Sequence, residues 1–536
     1  MENAFLLCIA IGNVVAKAGL YSCFFLYVTL LPAQPSIQWQ KALGGTQAEE
    51  AESIQQTSDG GYIVVGYSAS NNGNVLGWHG NIDFWVVKLS STGDVQWQKM
   101  LGGAQAESAY SVQQTSDGGY IVAGYTNSNN GDVSGLHGES DFWVVKLSAI
   151  GSLEWQKTLG GSNEDVARSI RQTSDGGYII SGWTFSTDGD VTFNHGYSDV
   201  WVVKLNEFGD IQWQKSYGGG TGNDQSRCIR QTSDGGYILT GETDSSDGDI
   251  SGYHGGNDIW VLKLNNSGII EWQKALGGSG IEASYSIQQT TDGGFIVGGL
   301  MSSNDGDITM HQGLFDFWIV KLTVTGEIQW QKSLGGSDSD WGRSVWQTTD
   351  GGYVVAGETS STDGDVTLND GGTDCWIVRL NDSGEIQWQK TFGGTKIETC
   401  RTVNQTSDGG FVVAGYTQSN DGDVSGFHGG LLDFWIVKLS PTSTPTAAPS
   451  SLPLEIFPNP AYQSISLNKP TLDAESTEVA EELTVRITDL LGRNLSRQTI
   501  PANAQIDISA LPNGMYILSA TTPSGKVFSG KFRKQE

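Results

Sequence analysis

The tripeptide Trp-Gln-Lys recurs at Trp39, Trp97, Trp155, Trp213, Trp272, Trp330 and Trp388, at spacings of 58, 58, 58, 59, 58 and 58 residues. A period of that length constrains the fold more than any other feature of the chain. Each unit is one supersecondary element that buries its apolar surface only against its neighbours. Seven copies fill residues 36–440, so any function must be one that a sevenfold array can serve.

Each copy carries four strand signals and no helix signal. In the second copy, 111–115 reads as a short strand. The Ser116-Asp117-Gly118-Gly119 turn follows, with residues that tolerate tight-hairpin backbone angles. Residues 120–126 form the second strand, 127–140 a polar loop, 141–148 the third strand, and 153–157 the fourth after a second tight turn. Strands two and three are apolar almost without alternation, as strands covered on both faces must be. This predicts an all-β fold: a seven-bladed β-propeller of four-stranded blades. Its runner-up, a solenoid, fits the tight internal hairpins less well. The ends of the array support a ring. Residues 37–41 are a fourth strand lacking its third, and 433–439 a third strand lacking its fourth. Pairing them removes both exposed edges.

Phe142-Trp143-Val144-Val145-Lys146-Leu147, then a Gly turn and Trp155, resemble the blades of quinoprotein-type β-propellers. The resemblance implies that the fourth-strand Trp docks between blades. It carries no quinone with it, because the sequence has no counterpart of the residues that bind one.

Residues 1–33 are apolar and split by Lys17. The run after Lys17 has the length of a signal-peptide core and is short for a membrane span, so cleavage is expected near Ala33 or Gln34. Residues 441–453, rich in Pro, Ser and Thr, read as an extended linker, and 454–536 as a small β-sandwich with period-two strands. The tail contains Pro458-Asn459-Pro460, Asp489-Leu490-Leu491-Gly492-Arg493, Leu511-Pro512-Asn513-Gly514-Met515-Tyr516 and the basic end Lys531-Phe532-Arg533-Lys534. In that order these resemble the C-terminal sorting domain of type IX secretion cargo in Bacteroidetes, apart from an acidic insert at 473–482. The resemblance implies recognition of residues 454–536 by the secretion machinery. It also implies release or attachment at the cell surface.

With 30 Lys and Arg against 59 Asp and Glu, the net charge is −29, which argues against nucleic acid or anionic membrane as a partner. Of five Cys, Cys8 and Cys23 fall in the signal segment. Cys228, Cys375 and Cys400 stand at unrelated repeat positions, which predicts no disulfide framework.

The loop between strands two and three holds the candidate sites. Asp188-Gly189-Asp190, Asp247-Gly248-Asp249, Asp305-Gly306-Asp307, Asp363-Gly364-Asp365 and Asp421-Gly422-Asp423 space carboxylates as a hard cation such as calcium accepts them. The alternative is turn chemistry, with the Asp that starts each third strand binding a nearby backbone amide. Asn72-Gly73-Asn74 and Asn130-Gly131-Asp132 are the weaker first copies. All six His lie in this loop: His79, His137, His195, His254, His311 and His428, with Asp370 in the sixth copy and His311 one residue out of place. The copies are too far apart to share one metal. Trp78, Phe193, Tyr253 and Phe427 sit there as well, as a glycan- or protein-binding surface would use them. No catalytic motif is present. Glu242 and Glu358 break the repeat after the Gly of strand two and are the residues that an exported polysaccharide hydrolase, the competing reading, would use. The favoured function is a secreted or surface-attached binding or structural module.

Overall fold

The computed structural model describes residues 34–369, 371–441, 452–453, 456–467, 482–489, 494–501, 505–521 and 527–535. The expected signal segment, most of the linker, Asp370, the insert at 473–481 and the motif residues 490–493 lie outside them.

The array is all-β: seven four-stranded sheets, with no helix among the described residues. Sheet 1 is Glu49–Gln56, Tyr62–Ser68, Asp83–Leu89 and Val95–Leu101, paired in chain order. Sheets 2 to 6 repeat it from Glu107, Asp165, Asp224, Glu282 and Asp340. Sheet 7 takes Glu398–Gln405, Phe411–Thr417 and Asp433–Leu439 from the end of the array and its outer strand, Ile37–Leu43, from the beginning. In that pair Leu43 faces Phe434 and Gln40 faces Val437.

Local chemistry sets the hairpins. In Thr115-Ser116-Asp117-Gly118-Gly119, the Asp117 carboxylate accepts the Thr115 hydroxyl at 2.5 Å and the Gly119 N–H at 2.9 Å. Gly118 takes φ +84°, a left-handed conformation that side chains disfavour. The second and third strands are buried on both faces as expected: Asp141–Leu147 is buried along its whole length. Alternate residues of one strand serve different cores. Ile63 and Val65 pack with sheet 2, while Val64 packs with sheet 7. Each third-strand Trp is buried, and Trp143 lies 4.5 Å from Phe84 of the preceding sheet. Burial of one such ring is worth a gross ~4–6 kcal/mol. The fourth-strand Trp does dock on the next sheet. Trp97 meets Tyr120 edge-on at 5.7 Å, and Trp39 of sheet 7 meets Tyr62 of sheet 1 at 5.5 Å.

Two expectations are corrected. The first strand of the second copy is Glu107–Gln114, not 111–115, and its fourth strand runs on to Leu159. The polar start of the first strand hides it, because a β-bulge interrupts the alternation: the register shifts between Ala109 and Ser111. The same bulge recurs in all seven first strands. Secondly, Cys375 and Cys400 form a disulfide, with Cα atoms 5.2 Å apart. Their positions are related after all: Cys375 is second in a third strand and Cys400 third in the next sheet's first strand. Phe84 and Ala109 fill those positions in one shared core at another junction.

The C-terminal domain has a five-stranded sheet, with Val527–Lys534 and Gly514–Thr521 in its middle, and a three-stranded sheet of Ile456–Phe457, Ser464–Leu467 and Ile506–Asp507. Both contribute to one apolar cluster. Leu452–Pro453 already pairs with the last strand, two residues before the expected boundary.

Candidate functional site

The Asp-Gly-Asp turns hold a second loop in place. Asp188 accepts the Ser162 N–H at 2.7 Å and Asp190 the Gly160 N–H at 3.2 Å. Asp247 and Asp249 do the same for Gly220 and Gly218, Asp305 and Asp307 for Ser279 and Gly277, and Asp363 and Asp365 for Ser337 and Gly335. Asp421 takes the Thr395 N–H and hydroxyl, both at 2.8 Å, and the Asp423 N–H donates to the Gly393 carbonyl. Asn72 and Asn74 make the same contacts in the first copy. The motif therefore ties the long loop of one sheet to the segment entering that sheet. Among the described residues, no three His, Cys, Asp or Glu side chains gather as a metal site would need.

The Asp that opens each third strand is buried. Asp141 accepts the His137 N–H at 3.0 Å, and the His137 ring lies 2.7 Å from the same carboxylate. His195, His254 and His428 repeat this on Asp199, Asp258 and Asp433. The far nitrogen of His195 comes within 3.9 Å of Asp249 in the next repeat, so the ring spans two repeats. His311, one residue early, loses this role. Gln312 supplies the N–H to Asp316, and the His311 Nε2 is buried without a partner.

A second buried carboxylate stands beside each of these. A Cβ on Gly102 would run into Asp83 from one side and Glu107 from the other. Glu107 accepts the Gly103 N–H at 2.8 Å. Equivalent pairs include Asp141 with Asp165, Asp199 with Asp224 and Asp433 with Glu49. Burial pushes Asp83, Asp165 and Asp224 up to about 6, against the pull of their hydrogen bonds.

The residue displaced by each first-strand bulge points elsewhere. Glu52, Tyr110, Arg168, Arg227, Tyr285, Arg343 and Arg401, one from each sheet, line one cavity of about 90 Å³. Glu242 and Glu358 belong to its surroundings. Arg227 reaches Glu242 at 2.5 Å, and Arg343 reaches Glu358 at 2.7 Å. The repeat-breaking carboxylates are thus partners of repeat-breaking arginines. Sequence reasoning missed the cavity although these seven positions keep the 58- or 59-residue spacing of the repeat, because the bulge breaks the period-two alternation that would have marked their strands.

The loop aromatics divide. Trp78 is 37% exposed and Phe193 57%, while Tyr253 and Phe427 are half-buried. The Trp78 Nε1 donates to the Asn81 carbonyl at 3.1 Å, and the Tyr253 hydroxyl to that of Gly256 at 2.9 Å. Leu76, Met310, Leu314, Leu368 and Leu431, from equivalent loops, are each about 60% exposed or more.

In the C-terminal domain, Asn459 of Pro458-Asn459-Pro460 donates to the Lys531 carbonyl at 3.1 Å and accepts the Arg533 N–H at 3.0 Å. Two of the tail's motifs are thereby one contact. The Tyr516 hydroxyl closes a third motif on the Pro512 carbonyl at 2.7 Å. Residues 455–532 match the secretion system C-terminal sorting domain. The protein is accordingly an exported one, secreted or at the outer cell surface, and the sorting domain implies contact with the secretion machinery. No curated protein matches the chain. Among solved structures, the Neurospora crassa Pan2 WD40 domain is 10% identical, with a TM-score of 0.39 over 72% of this chain and 88% of that one. A puromycin hydrolase is 12% identical, with a TM-score of 0.40 over 70% of this chain and 51% of that one. A putative gluconolactonase is 9% identical, with a TM-score of 0.31 over 61% and 87%. Overlaps this loose leave the array's role to its own residues.

Proposed function

We propose that the array is a closed seven-bladed β-propeller serving as a binding module outside the cell, delivered there by the sorting domain. The pairing of Ile37–Leu43 with Asp433–Leu439 supports closure. The observation that carries the binding role is the exposed apolar and aromatic rim on the long loops, Trp78 and Phe193 foremost. An exposed ring or aliphatic side chain on the same loop of successive repeats offers a partner a repeated contact, and amphipathic rings beside Asp- and Asn-rich loops suit a glycan or a protein surface. A polysaccharide hydrolase is less well supported, because its two candidate carboxylates are already engaged by arginines.

The test is a glycan array and a surface-protein binding assay with the exported chain, beside a Trp78→Ala, Phe193→Ala variant. Binding that the variant loses, with no product released, supports the module. Release of reducing sugar that Glu242→Gln or Glu358→Gln abolishes would replace it with the hydrolase.

A further inference from the structure

The array has seven Arg, and six of them lie on first strands: Arg168, Arg171, Arg227, Arg230, Arg343 and Arg401. The fold does not demand arginine there. Glu52, Tyr110 and Tyr285 occupy the same bulge position in three other sheets. A chain of net charge −29 has nevertheless placed four arginines around one cavity.

Three of the four bulge arginines are matched. Arg227 pairs with Glu242, Arg343 with Glu358, and Arg401 with Glu50 at 3.3 Å. Arg168 is not. It makes no hydrogen bond or ion pair among the described residues. Its guanidinium lies over the Tyr110 ring at 3.7 Å, with Trp183 at 5.8 Å. Stacking holds the plane of the side chain and leaves its five N–H donors unused. Three residues on along the same strand, Arg171 spends one nitrogen on the Ser111 hydroxyl at 2.8 Å and the Ile170 carbonyl at 2.6 Å.

We infer that this cavity binds a small carboxylate, anchored on the fork of Arg168. A fixed planar guanidinium with free donors matches a carboxylate edge to edge, which a point charge does not. The volume of about 90 Å³ holds roughly six waters at ~10–15 Å³ each, or one acid of a few heavy atoms. Glu52 lines the same cavity and disfavours a polyanion. The acid is either whole or the acidic end of a sugar, and the test separates these. This site is independent of the loop rim, so either can fail alone.

The experiment is calorimetric titration of the exported chain at constant ionic strength with acetate, glycolate, glucuronate and sulfate. The expected result is saturable binding of at least one carboxylate at one site per chain, weakened tenfold or more by Arg168→Gln. Acetate or glycolate binding identifies a free acid, and glucuronate alone a sugar acid. Arg168→Tyr, a residue the fold already accepts at this position, gives the same loss if Gln disturbs folding. Binding of no anion, binding of sulfate alone, or carboxylate binding that survives both variants overturns the proposal.

Discussion

Cys375 and Cys400 bridge two adjacent sheets at the place where Phe84 and Ala109 meet at another junction. Three further junctions also set Phe against a small residue, Phe142 with Ala167, Phe317 with Gly342 and Phe434 with Ala51, while the other two have Val200 with Ser226 and Ile259 with Ser284. The disulfide therefore replaces a large-against-small apolar contact. It closes a loop with a sequence separation of 25, worth about 3.5 kcal/mol in the chain-entropy account. Cys375→Ser should lower Tm, as should reduction of the native chain. Cys375→Phe with Cys400→Ala should recover most of the loss, by rebuilding the contact used elsewhere. A double variant as unstable as Cys375→Ser would show that the two positions are not equivalent. Melting curves with and without reductant decide it.

The second and third strands were legible because burial on both faces writes a continuous apolar run, as in Asp141–Leu147, and Trp-Gln-Lys marks every fourth strand. The first strands were not. Each is polar at its start and broken by a bulge, so Glu107-Ser108-Ala109-Tyr110 reads as loop. Cys375 and Cys400 looked unrelated for the same reason: their kinship lies between copies, not within one. The sorting motifs were legible as an ordered set, but that Asn459 fastens one to another is a matter of three dimensions alone.

The buried carboxylates fix a pH dependence. Burial raises Asp83, Asp165 and Asp224 from 3.8 to about 6, and raises Asp141, Asp199, Asp258, Asp316, Asp340 and Asp433 as well. A carboxyl that holds its proton more tightly when folded stabilises the fold below its unfolded value, and that contribution is lost as pH rises through the folded one. Asp59, Asp117, Asp175, Asp234 and Asp292 run the other way. Burial opposes their ionisation, but the adjacent Thr hydroxyl and the buried Lys of the third strand hold them down to about 2. Their contribution is present above 3.8 and lost as pH falls through 2. Tm should therefore peak near about pH 4 and decline toward neutrality. Asp165→Asn should raise Tm at neutral pH and flatten the decline. Calorimetry across this range would refute the account if Tm rose steadily to neutral pH.

Arg343 and Glu358 are each about a tenth exposed. Glu358→Gln should cost roughly 2–4 kcal/mol, because it leaves Arg343 charged in a confined place. Arg343→Tyr with Glu358→Tyr should cost less, since Tyr285 and Tyr416 hold those positions in other sheets. Denaturant midpoints measure both. A harmless single variant would mean that water in the cavity already screens the pair.

The Asp-Gly-Asp turns should behave as capping groups. Asp188→Ala removes the acceptor of the Ser162 N–H and should cost about 1 kcal/mol, as loss of a comparable cap does. Calcium or a chelator should leave Tm unmoved, because these carboxylates already serve backbone donors. A calcium-dependent rise in Tm that Asp188→Ala abolishes would assign the loops to a cation instead.

The proposed closure rests on one strand. Removing residues 34–43 takes away the outer strand of sheet 7, the Gln40 acceptor of the Trp435 Nε1 at 2.8 Å, and the Trp39 ring on Tyr62. It also bares Asp433–Leu439, an apolar edge that invites pairing with another chain. The truncated array should melt lower than the Cys375→Ser variant and form concentration-dependent oligomers in gel filtration. A peptide spanning 34–43, added in excess, should restore the monomer by occupying the vacant edge. A truncated chain that stays monomeric with an unchanged Tm would mean that sheet 7 does not depend on the strand that begins the array.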